Sequence, residues 1–137
     1  MQKTFAIIKP DAVQRGLAGD IIKRIEASKL KIRGMRLMHL SRNQAERFYE
    51  VHKARPFYND LCAYMTSGPV IVMVLEGDNA ISRWRELMGA TDPAKADAGT
   101  IRKDFGENIE RNAVHGSDAP ETAAQEIPFF FSSLDTV

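Results

Sequence analysis

The residues best suited to chemistry in this sequence lie in one short stretch, Asn112–Asp118. His115 ends a brief apolar run, Gly116 permits a tight turn after it, and Asp118 stands where a capping residue is expected. The order Asp-Ala-Pro-Glu from Asp118 predicts a helix start, because a cap carboxylate, an early proline and a glutamate three residues later are typical of one. Helix starts carry unpaired N–H groups and partial positive charge, so this stretch predicts an anion site near His115.

For an isolated histidine at such a position, the better explanation is a residue that merely ends a strand. The surrounding stretch and the rest of the chain favour a chemical role. Asn112–Asp118 resembles the signature of nucleoside diphosphate kinases, and further segments resemble the same family in the same order: Lys9–Arg15, Arg55–Tyr58, Ser67–Val70 and Gly99–Arg102. The resemblance covers essentially the whole chain.

This resemblance implies that His115 carries a phosphate between nucleotides. A neutral imidazole can attack phosphorus with one nitrogen while an acceptor holds the other, and the family pattern gives the holding role to Glu126. The same pattern implies that Tyr49 lies beside the histidine. Ser117 is expected to offer a hydroxyl near Glu126, and Gly116 to keep the approach to His115 open.

The family pattern also assigns the groups that meet the phosphates. Lys9, Arg85 and Arg102 are expected to neutralise the transferring phosphate, with Thr91 donating a hydroxyl. Arginine suits this task because its guanidinium fork matches phosphate oxygens and keeps its charge. Spacing alone explains Arg85 equally well as an arginine whose stem lies along the core edge.

The remaining substrate contacts concern the sugar, the base and the metal. Asn112 and Lys9 are expected to contact the ribose hydroxyls, and Phe57 to stack on the base, an interaction that accepts any base. The implied substrates are nucleoside di- and triphosphates with Mg²⁺. No carboxylate pair in the sequence resembles a cation cage, so Mg²⁺ is expected on the nucleotide's own phosphates rather than on protein ligands.

Length and composition favour one ordinary domain, residues 1–137. Apolar residues make up 44% and charged residues 27% of the chain, as in ordinary globular proteins. The net charge of +1 gives no indication of a nucleic-acid partner. The single cysteine, Cys62, fits a reducing compartment. No apolar run approaches the ~18–20 residues that span a bilayer, so a cytoplasmic protein without a membrane partner is expected.

Hydrophobic periodicity predicts the elements that position these residues. The predicted strands are Thr4–Ile8, Ile32–Leu40, Val70–Leu75 and a short one at His115. The predicted helices are Leu17–Ser28, one from the capping box at Ser41, a short one after Arg55–Tyr58, Asn79–Met88, and one after Asp118. Residues 90–112 show no periodicity and are predicted to form a binding loop. Val70–Leu75 is apolar on both faces, which predicts a central strand covered on both sides, and helices on one face with a partner subunit on the other could supply this cover.

This order of elements indicates an α/β (α+β) fold, a ferredoxin-like βαββαβ sandwich with extra helices. The family's fold, a four-stranded antiparallel sheet, agrees. Two other functions fit parts of the pattern. A phosphohistidine relay protein would have no use for nucleotide contacts such as Phe57, and a ferredoxin-like nucleic-acid module would need sheet aromatics and a basic stripe.

At a few positions the sequence differs from the residues that are common in the family. Lys103 stands where glycine is common, Ala119 where serine is common and Ala12 where glycine is often seen. None of these departures removes a proposed catalytic group. The resemblance implies a homo-oligomer, a tetramer or a hexamer built from dimers, and a C-terminal end shorter than in many relatives leaves both open.

Overall fold

Four strands form one antiparallel sheet in the computed structural model, which describes residues 1–137. The strands pair in the order β2-β3-β1-β4, the arrangement of a ferredoxin-like sheet, as the sequence predicts. Their bounds are β1 Gln2–Ile8, β2 Lys31–Met38, β3 Val70–Gly77 and β4 Val114–Gly116. The two long central strands therefore carry the short strand of His115 at one edge.

Seven α-helices surround the sheet, and five of them correspond to predicted ones. Their bounds are α1 Pro10–Gln14, α2 Ala18–Ala27, α3 Arg42–Phe48, α4 Tyr58–Met65, α5 Ala80–Met88, α6 Ile101–Phe105 and α7 Pro120–Phe130. Short 3₁₀ turns occupy Glu50–His52, Pro93–Lys95 and Ser133–Asp135. The stretch from 90 to 112 is therefore less irregular than predicted, since it contains a 3₁₀ turn and α6. None of the helices is long and apolar enough to cross a membrane.

Helices of the same chain cover both faces of β3. On one face Met73 and Leu75 pack with Trp84 of α5, and all three side chains are fully buried. On the other face Val72 and Val74 pack with residues of α3, α4 and α7. The prediction that β3 is a central, doubly covered strand is confirmed, and the cover needs no partner subunit.

The C-terminal aromatic residues anchor α7 against the sheet. The Phe130 ring stacks on the Phe5 ring of β1 with centroids 5.2 Å apart, and Phe131 is also buried. Phe129 remains more than one-third exposed. The burial that these phenylalanines require is supplied largely within the chain, and it holds α7, which carries Glu126, across β1 and β4.

Candidate active site

His115 lies at the centre of β4, opposite Ile7 of β1. Its Nε2 is 3.0 Å from Glu126 Oε1, and the Ser117 hydroxyl donates to the same oxygen at 3.0 Å. Because an ionised carboxylate only accepts hydrogen bonds, this contact requires the proton on Nε2 and leaves a lone pair on Nδ1. Nδ1 makes no hydrogen bond with the rest of the chain. The imidazole is thus oriented through one nitrogen and open at the other.

Trp84 holds the backbone of the histidine. Its indole N–H donates to the His115 carbonyl at 3.1 Å, and this close approach depends on the neighbouring glycine. A Cβ on Gly116 would lie 2.5 Å from Trp84 Cδ1 and 2.8 Å from the end of Met88. Gly116 is not among the residues with positive φ, so it is not needed for a left-handed turn. The structure gives Gly116 a packing reason, the close contact with Trp84.

Aromatic edges surround the histidine ring. Phe48 and Phe5 approach it at centroid distances of 6.0 and 6.2 Å, both edge-on. Tyr49 is buried and packs against Phe48 at 4.9 Å. Burial and the nearby Glu126 carboxylate raise the pKa of Tyr49, so the phenol stays protonated. Phe48, which the sequence reasoning did not single out, is the aromatic residue of α3 whose ring comes near His115.

The start of α7 differs from its prediction. The helix begins at Pro120 with Ala119 as its capping residue, so the prediction that Asp118 caps it is wrong. Thr122 Oγ1 accepts the backbone N–H groups of Asp118 and Ala119 at 3.1 and 3.0 Å, and the Ser117 N–H donates to β1. The N–H groups nearest His115 are therefore already paired. Negative charge beside the histidine must be met mainly by side chains.

Two arginines converge near this strand from different elements. Arg102 of α6 is buried and donates to the carbonyls of Gly89 at 3.0 Å and Val114 at 2.9 Å, while its buried Nε has no partner. Burial lowers the pKa of Arg102 to about 10; Arg85 adds to this effect and Asp118 opposes it. Arg85 of α5 is half exposed and donates to Asp118 at 2.6 Å. Arg102 thus contacts the residue that precedes His115, and Arg85 contacts the aspartate three residues after it.

Lys9 joins the end of β1 to the loop before β4. Its Nζ donates to Asn112 Oδ1 at 2.8 Å, and the Asn112 amide donates to the Thr91 carbonyl at 3.0 Å. The Thr91 hydroxyl makes no hydrogen bond within the chain. Burial lowers the pKa of Lys9 to about 8, with Arg102 acting in the same direction and Asp11 against it. A buried cation with so few partners is prepared to receive an anion.

A cleft of about 430 Å³ opens from this network. Its lining combines apolar and polar side chains: Lys9, Phe57, Asp60, Leu61, Tyr64, Thr91, Ile109 and Glu110. Phe57 and Ile109 leave 45% and 57% of their surfaces exposed, so both offer apolar surface to a ligand. The sequence reasoning missed Ile109, although an apolar residue inside the polar stretch Glu107–Arg111 is a signal that could have revealed it.

The structure thus brings the predicted residues together in two connected groups. One surrounds the imidazole and contains His115, Ser117, Glu126, Arg102, Arg85 and Gly116. The other borders the cleft and contains Lys9, Asn112, Thr91 and Phe57. Tyr49 supports the first group from behind Phe48. No group of three or more His, Cys, Asp or Glu side chains is arranged to hold a metal ion.

Comparisons with known proteins agree on one family. A family model described as nucleoside diphosphate kinase matches residues 2–136. A protein of that name from Geotalea daltonii is 64% identical over the full length of both chains, and one from Maricaulis maris is 63% identical over all of this chain and 98% of its own.

Solved structures give the same result. A crystal form of the Aquifex aeolicus nucleoside diphosphate kinase superposes with a TM-score of 0.97 at 41% identity, covering 99% of each chain. A halophilic nucleoside diphosphate kinase from Halobacterium salinarum in complex with CDP has a TM-score of 0.95 at 43% identity, covering 99% of this chain and 91% of that one.

Proposed function

The chain belongs to the nucleoside diphosphate kinase family, and from that premise we propose how its own residues carry out the reaction. The activity is transfer of the terminal phosphate of a nucleoside triphosphate to a nucleoside diphosphate. It proceeds in two half-reactions through a phosphohistidine, as is standard for the family. We assign that histidine to His115, and the observation that carries the assignment is its Nε2 contact with Glu126.

In the first half-reaction, His115 Nδ1 forms a bond to the terminal phosphorus as the bond to the bridging oxygen breaks. The nucleoside diphosphate leaves with that oxygen. Glu126 keeps the Nε2 proton in place and stabilises the positive charge that the ring acquires, while Ser117 keeps the Glu126 oxygen oriented. In the second half-reaction, a terminal phosphate oxygen of a different nucleoside diphosphate forms a bond to the phosphorus as the bond from phosphorus to Nδ1 breaks, which releases a nucleoside triphosphate and restores the imidazole. Phe48 covers one side of the ring, and Tyr49 packs against Phe48.

Charge neutralisation falls to three cations. Phosphoryl transfer has a loose transition state, so catalysis consists largely of alignment and electrostatic stabilisation. Arg102 is fixed by two carbonyl contacts and needs little reorganisation, whereas Arg85 must exchange Asp118 for a phosphate oxygen. Lys9 supplies the third charge from the cleft side, and the Thr91 hydroxyl adds a neutral donor.

The cleft would hold the sugar and the base. Lys9 and Asn112 are suited to the ribose hydroxyls, because they already form a buried polar pair that a hydroxyl could join. Phe57 and Ile109 provide the apolar surfaces for the base. Gly116 contributes indirectly, since it admits Trp84 to the His115 carbonyl.

We propose that the divalent metal is Mg²⁺ and that it enters as part of the substrate, chelated by the nucleotide phosphates. Asp11 is already engaged with Tyr64 and Ala113, and Asp118 with Arg85. The other two carboxylates that line the cleft, Asp60 and Glu110, belong to no group of three or more ligand side chains that could hold a metal ion. The residues present therefore do not fit a dedicated metal cage. Charge balance at the site is set by the chain's cations together with whatever ion the nucleotide carries.

We further propose a single domain over residues 1–137, a cytoplasmic location and a homo-oligomer built from dimers, either a tetramer or a hexamer. The buried, unpaired Cys62 supports a reducing compartment. The edge strand β2 supports assembly, because it exposes 51% of Met35 and 68% of Leu37. Light scattering on the purified protein would measure the mass of the assembly.

His115→Asn tests the proposed function directly. Incubation of the wild type with γ-labelled ATP should give a protein-bound label that is stable in base and lost in acid. The variant should take up no such label and should lose phosphate transfer, while keeping the wild-type melting temperature within a few degrees. His39→Asn, at an exposed histidine outside the site, is the matched control and should label normally. Label persisting in the His115 variant would assign the phosphate to another residue.

A further inference from the structure

A strained turn lies two residues before the catalytic strand's histidine. Ala113 is fully buried and has a φ of 75°, although it is not glycine. The Val114 N–H donates to the Asn112 carbonyl at 2.9 Å, which makes Ala113 the central residue of a three-residue γ-turn. A γ-turn with positive φ is rare and strained. Such strain persists only where surrounding contacts over-determine the conformation, and it clusters at functional sites.

Residues at the start of α1 hold both backbone polar groups of this turn. Asp11 Oδ2 accepts the Ala113 N–H at 3.1 Å, and the Lys9 N–H donates to the Ala113 carbonyl at 2.8 Å. The other carboxylate oxygen of Asp11 accepts the hydroxyl of Tyr64. The strained residue is thereby fixed from a segment about one hundred positions away in sequence.

Asp11 is a costly residue to bury, and its contacts indicate why it is there. Only 3% of its surface is exposed, and burying a carboxylate is unfavourable unless it is paired and hydrogen-bonded. Burial and the Asp11 contact raise the pKa of Tyr64, so its hydroxyl remains a donor. The simpler explanation is that an acid in the first turn of α1 stabilises that helix. However, α1 has only five residues, and the Asp11 oxygens point away from it to Tyr64 and Ala113.

We propose that Asp11 is a positioning residue for phosphoryl transfer: its carboxylate clamps the strained turn at Ala113 and so sets Asn112 and His115 relative to Lys9. This inference rests on the proposed role of His115. It extends that role to a residue with no part in the chemistry itself, since Asp11 acts only through the backbone of Ala113.

The first test compares Asp11→Ala with the matched control Asp20→Ala. Asp20 is also an acid in the first turn of a helix, but it is exposed on α2. Asp11→Ala should slow the single-turnover phosphorylation of His115 by about 10²-fold, the cost of misplacing reacting groups by about 1 Å. Asp20→Ala should leave the rate unchanged. Rates are measured well below the melting temperature of each variant, so that loss of folded protein does not enter.

The second test asks whether relief of strain rescues the rate. Glycine adopts positive φ without penalty, so Ala113→Gly in the Asp11→Ala background should recover about tenfold of the lost rate. Asp11→Asn keeps an acceptor for the Ala113 N–H and should stay within about fivefold of the wild type. A role confined to stability would lower the melting temperature of Asp11→Ala and leave its phosphorylation rate intact.

Each outcome decides the proposal. A wild-type rate in folded Asp11→Ala, or no rescue by Ala113→Gly, overturns the clamp. If Asp11→Ala does not fold, the double variant must fold and transfer phosphate, and its failure to fold assigns Asp11 to stability alone. Wild-type labelling at His115 is measured in the same series. A failure of the clamp is therefore distinguishable from a failure of the proposed function.

Discussion

The two ends of the site are built differently. At the end that we propose binds the phosphates, called the phosphate end below, Arg102 is buried, the His115 ring is hydrogen-bonded to Glu126 and the His115 carbonyl to Trp84. At the end that we propose binds the base, called the base end below, Phe57 and Ile109 leave about half of their surfaces exposed. The side chains of the first end are fixed by contacts within the chain, whereas the second end offers two partly exposed apolar side chains beside the polar lining of the cleft.

The difference follows from what each end must recognise. Every nucleoside triphosphate presents the same phosphates, so fixed charges at that end serve all substrates and stabilise the transition state without reorganisation. The bases differ in their hydrogen-bonding edges, and fixed polar partners would select one over another. Burial lowers the pKa values of Lys9 and Arg102, because their charges are poorly solvated. A bound phosphate would stabilise both charges. Burying these charges for substrate binding therefore costs stability at the phosphate end and not at the base end.

The largest effect should come from the arginines of the phosphate end. Arg102→Ala should lower kcat by about 10³-fold, because arginines that stabilise phosphoryl-transfer transition states contribute this much or more. Arg85→Ala should lower kcat by only about 10²-fold, since Arg85 is half exposed and must first leave Asp118. Steady-state turnover with ATP and a nucleoside diphosphate measures both losses.

Stability separates these effects from simple unfolding. Arg102→Ala leaves the buried Val114 carbonyl unpaired, at a cost of about 1–3 kcal/mol in the free energy of unfolding, whereas water can replace the hydrogen bond to the partly exposed Gly89 carbonyl. A 10³-fold loss of kcat corresponds to about 4 kcal/mol, so activity should fall further than stability. Arg83→Ala, at an exposed residue of the same helix as Arg85, is the control and should change neither. Equal losses of kcat in the Arg83 and Arg85 variants would show that Arg85 does not contact the phosphates.

Much of this fold could be predicted from the sequence because it depends on local patterns. The apolar run of β3, the capping box at Ser41 and the helix predicted at Asn79–Met88 each depend on residues close together in the sequence, and each prediction is confirmed. The helices α1 and α6 were not predicted, since five residues are too few to show a helical period.

The parts of the site that depend on contacts between distant segments could not be predicted from the sequence. The Asp118 cap was predicted from its neighbours, but Arg85 takes the carboxylate and Thr122 takes the backbone N–H groups. The contacts of Asp11 with Ala113 and Tyr64 join segments far apart in the chain. No periodicity or local motif encodes such contacts, so they emerge only from the folded structure.

The base end should be tolerant of the base and demanding about the sugar. GDP, CDP, UDP and dTDP should differ as acceptors by no more than about one to two orders of magnitude in kcat/KM, or about 1.4–2.8 kcal/mol. A 3′-deoxy acceptor should lose more than about 10²-fold, because Lys9 and Asn112 would be left without their hydroxyl partner. Strong preference for one base together with full tolerance of the 3′-deoxy acceptor would reverse the comparison between the two ends.

Phe57→Ala refines this prediction. Loss of stacking should raise KM by a similar factor for all four bases, about 5–160-fold, since each stacked base contributes about 1–3 kcal/mol. The kcat should change much less, because Phe57 does not contact the transferring phosphate. A KM increase confined to purines would show that the base end distinguishes ring size.

The pH dependence should separate binding from stability at Lys9. As pH rises through about 8, Lys9 loses its charge, so kcat/KM should fall by up to tenfold per pH unit. Stability should move the opposite way. The pKa of Lys9 is lower in the folded state than its ordinary 10.5, so the unfolded chain binds more protons between these values and the Lys9 contribution to stability rises with pH there. Lys9→Met should lose both trends. If kcat/KM of that variant still falls above about pH 8, the fall belongs to the titration of another group.

The smallest effect should come from Lys103, next to Arg102 on the same short helix. Its side chain is exposed and makes no hydrogen bond or ion pair, and only its backbone N–H takes part in the Thr100 cap. Lys103→Ala should therefore leave turnover and stability within error of the wild type. Lys103→Gly should cost up to about 1 kcal/mol in the free energy of unfolding, because glycine is unfavourable inside a helix, and turnover should stay within about twofold. A turnover loss in the glycine variant alone would show that the rigidity of α6 helps to hold Arg102, whereas a loss in both exceeding that of Arg102→Ala would mean that the loop is oriented differently at the phosphate end.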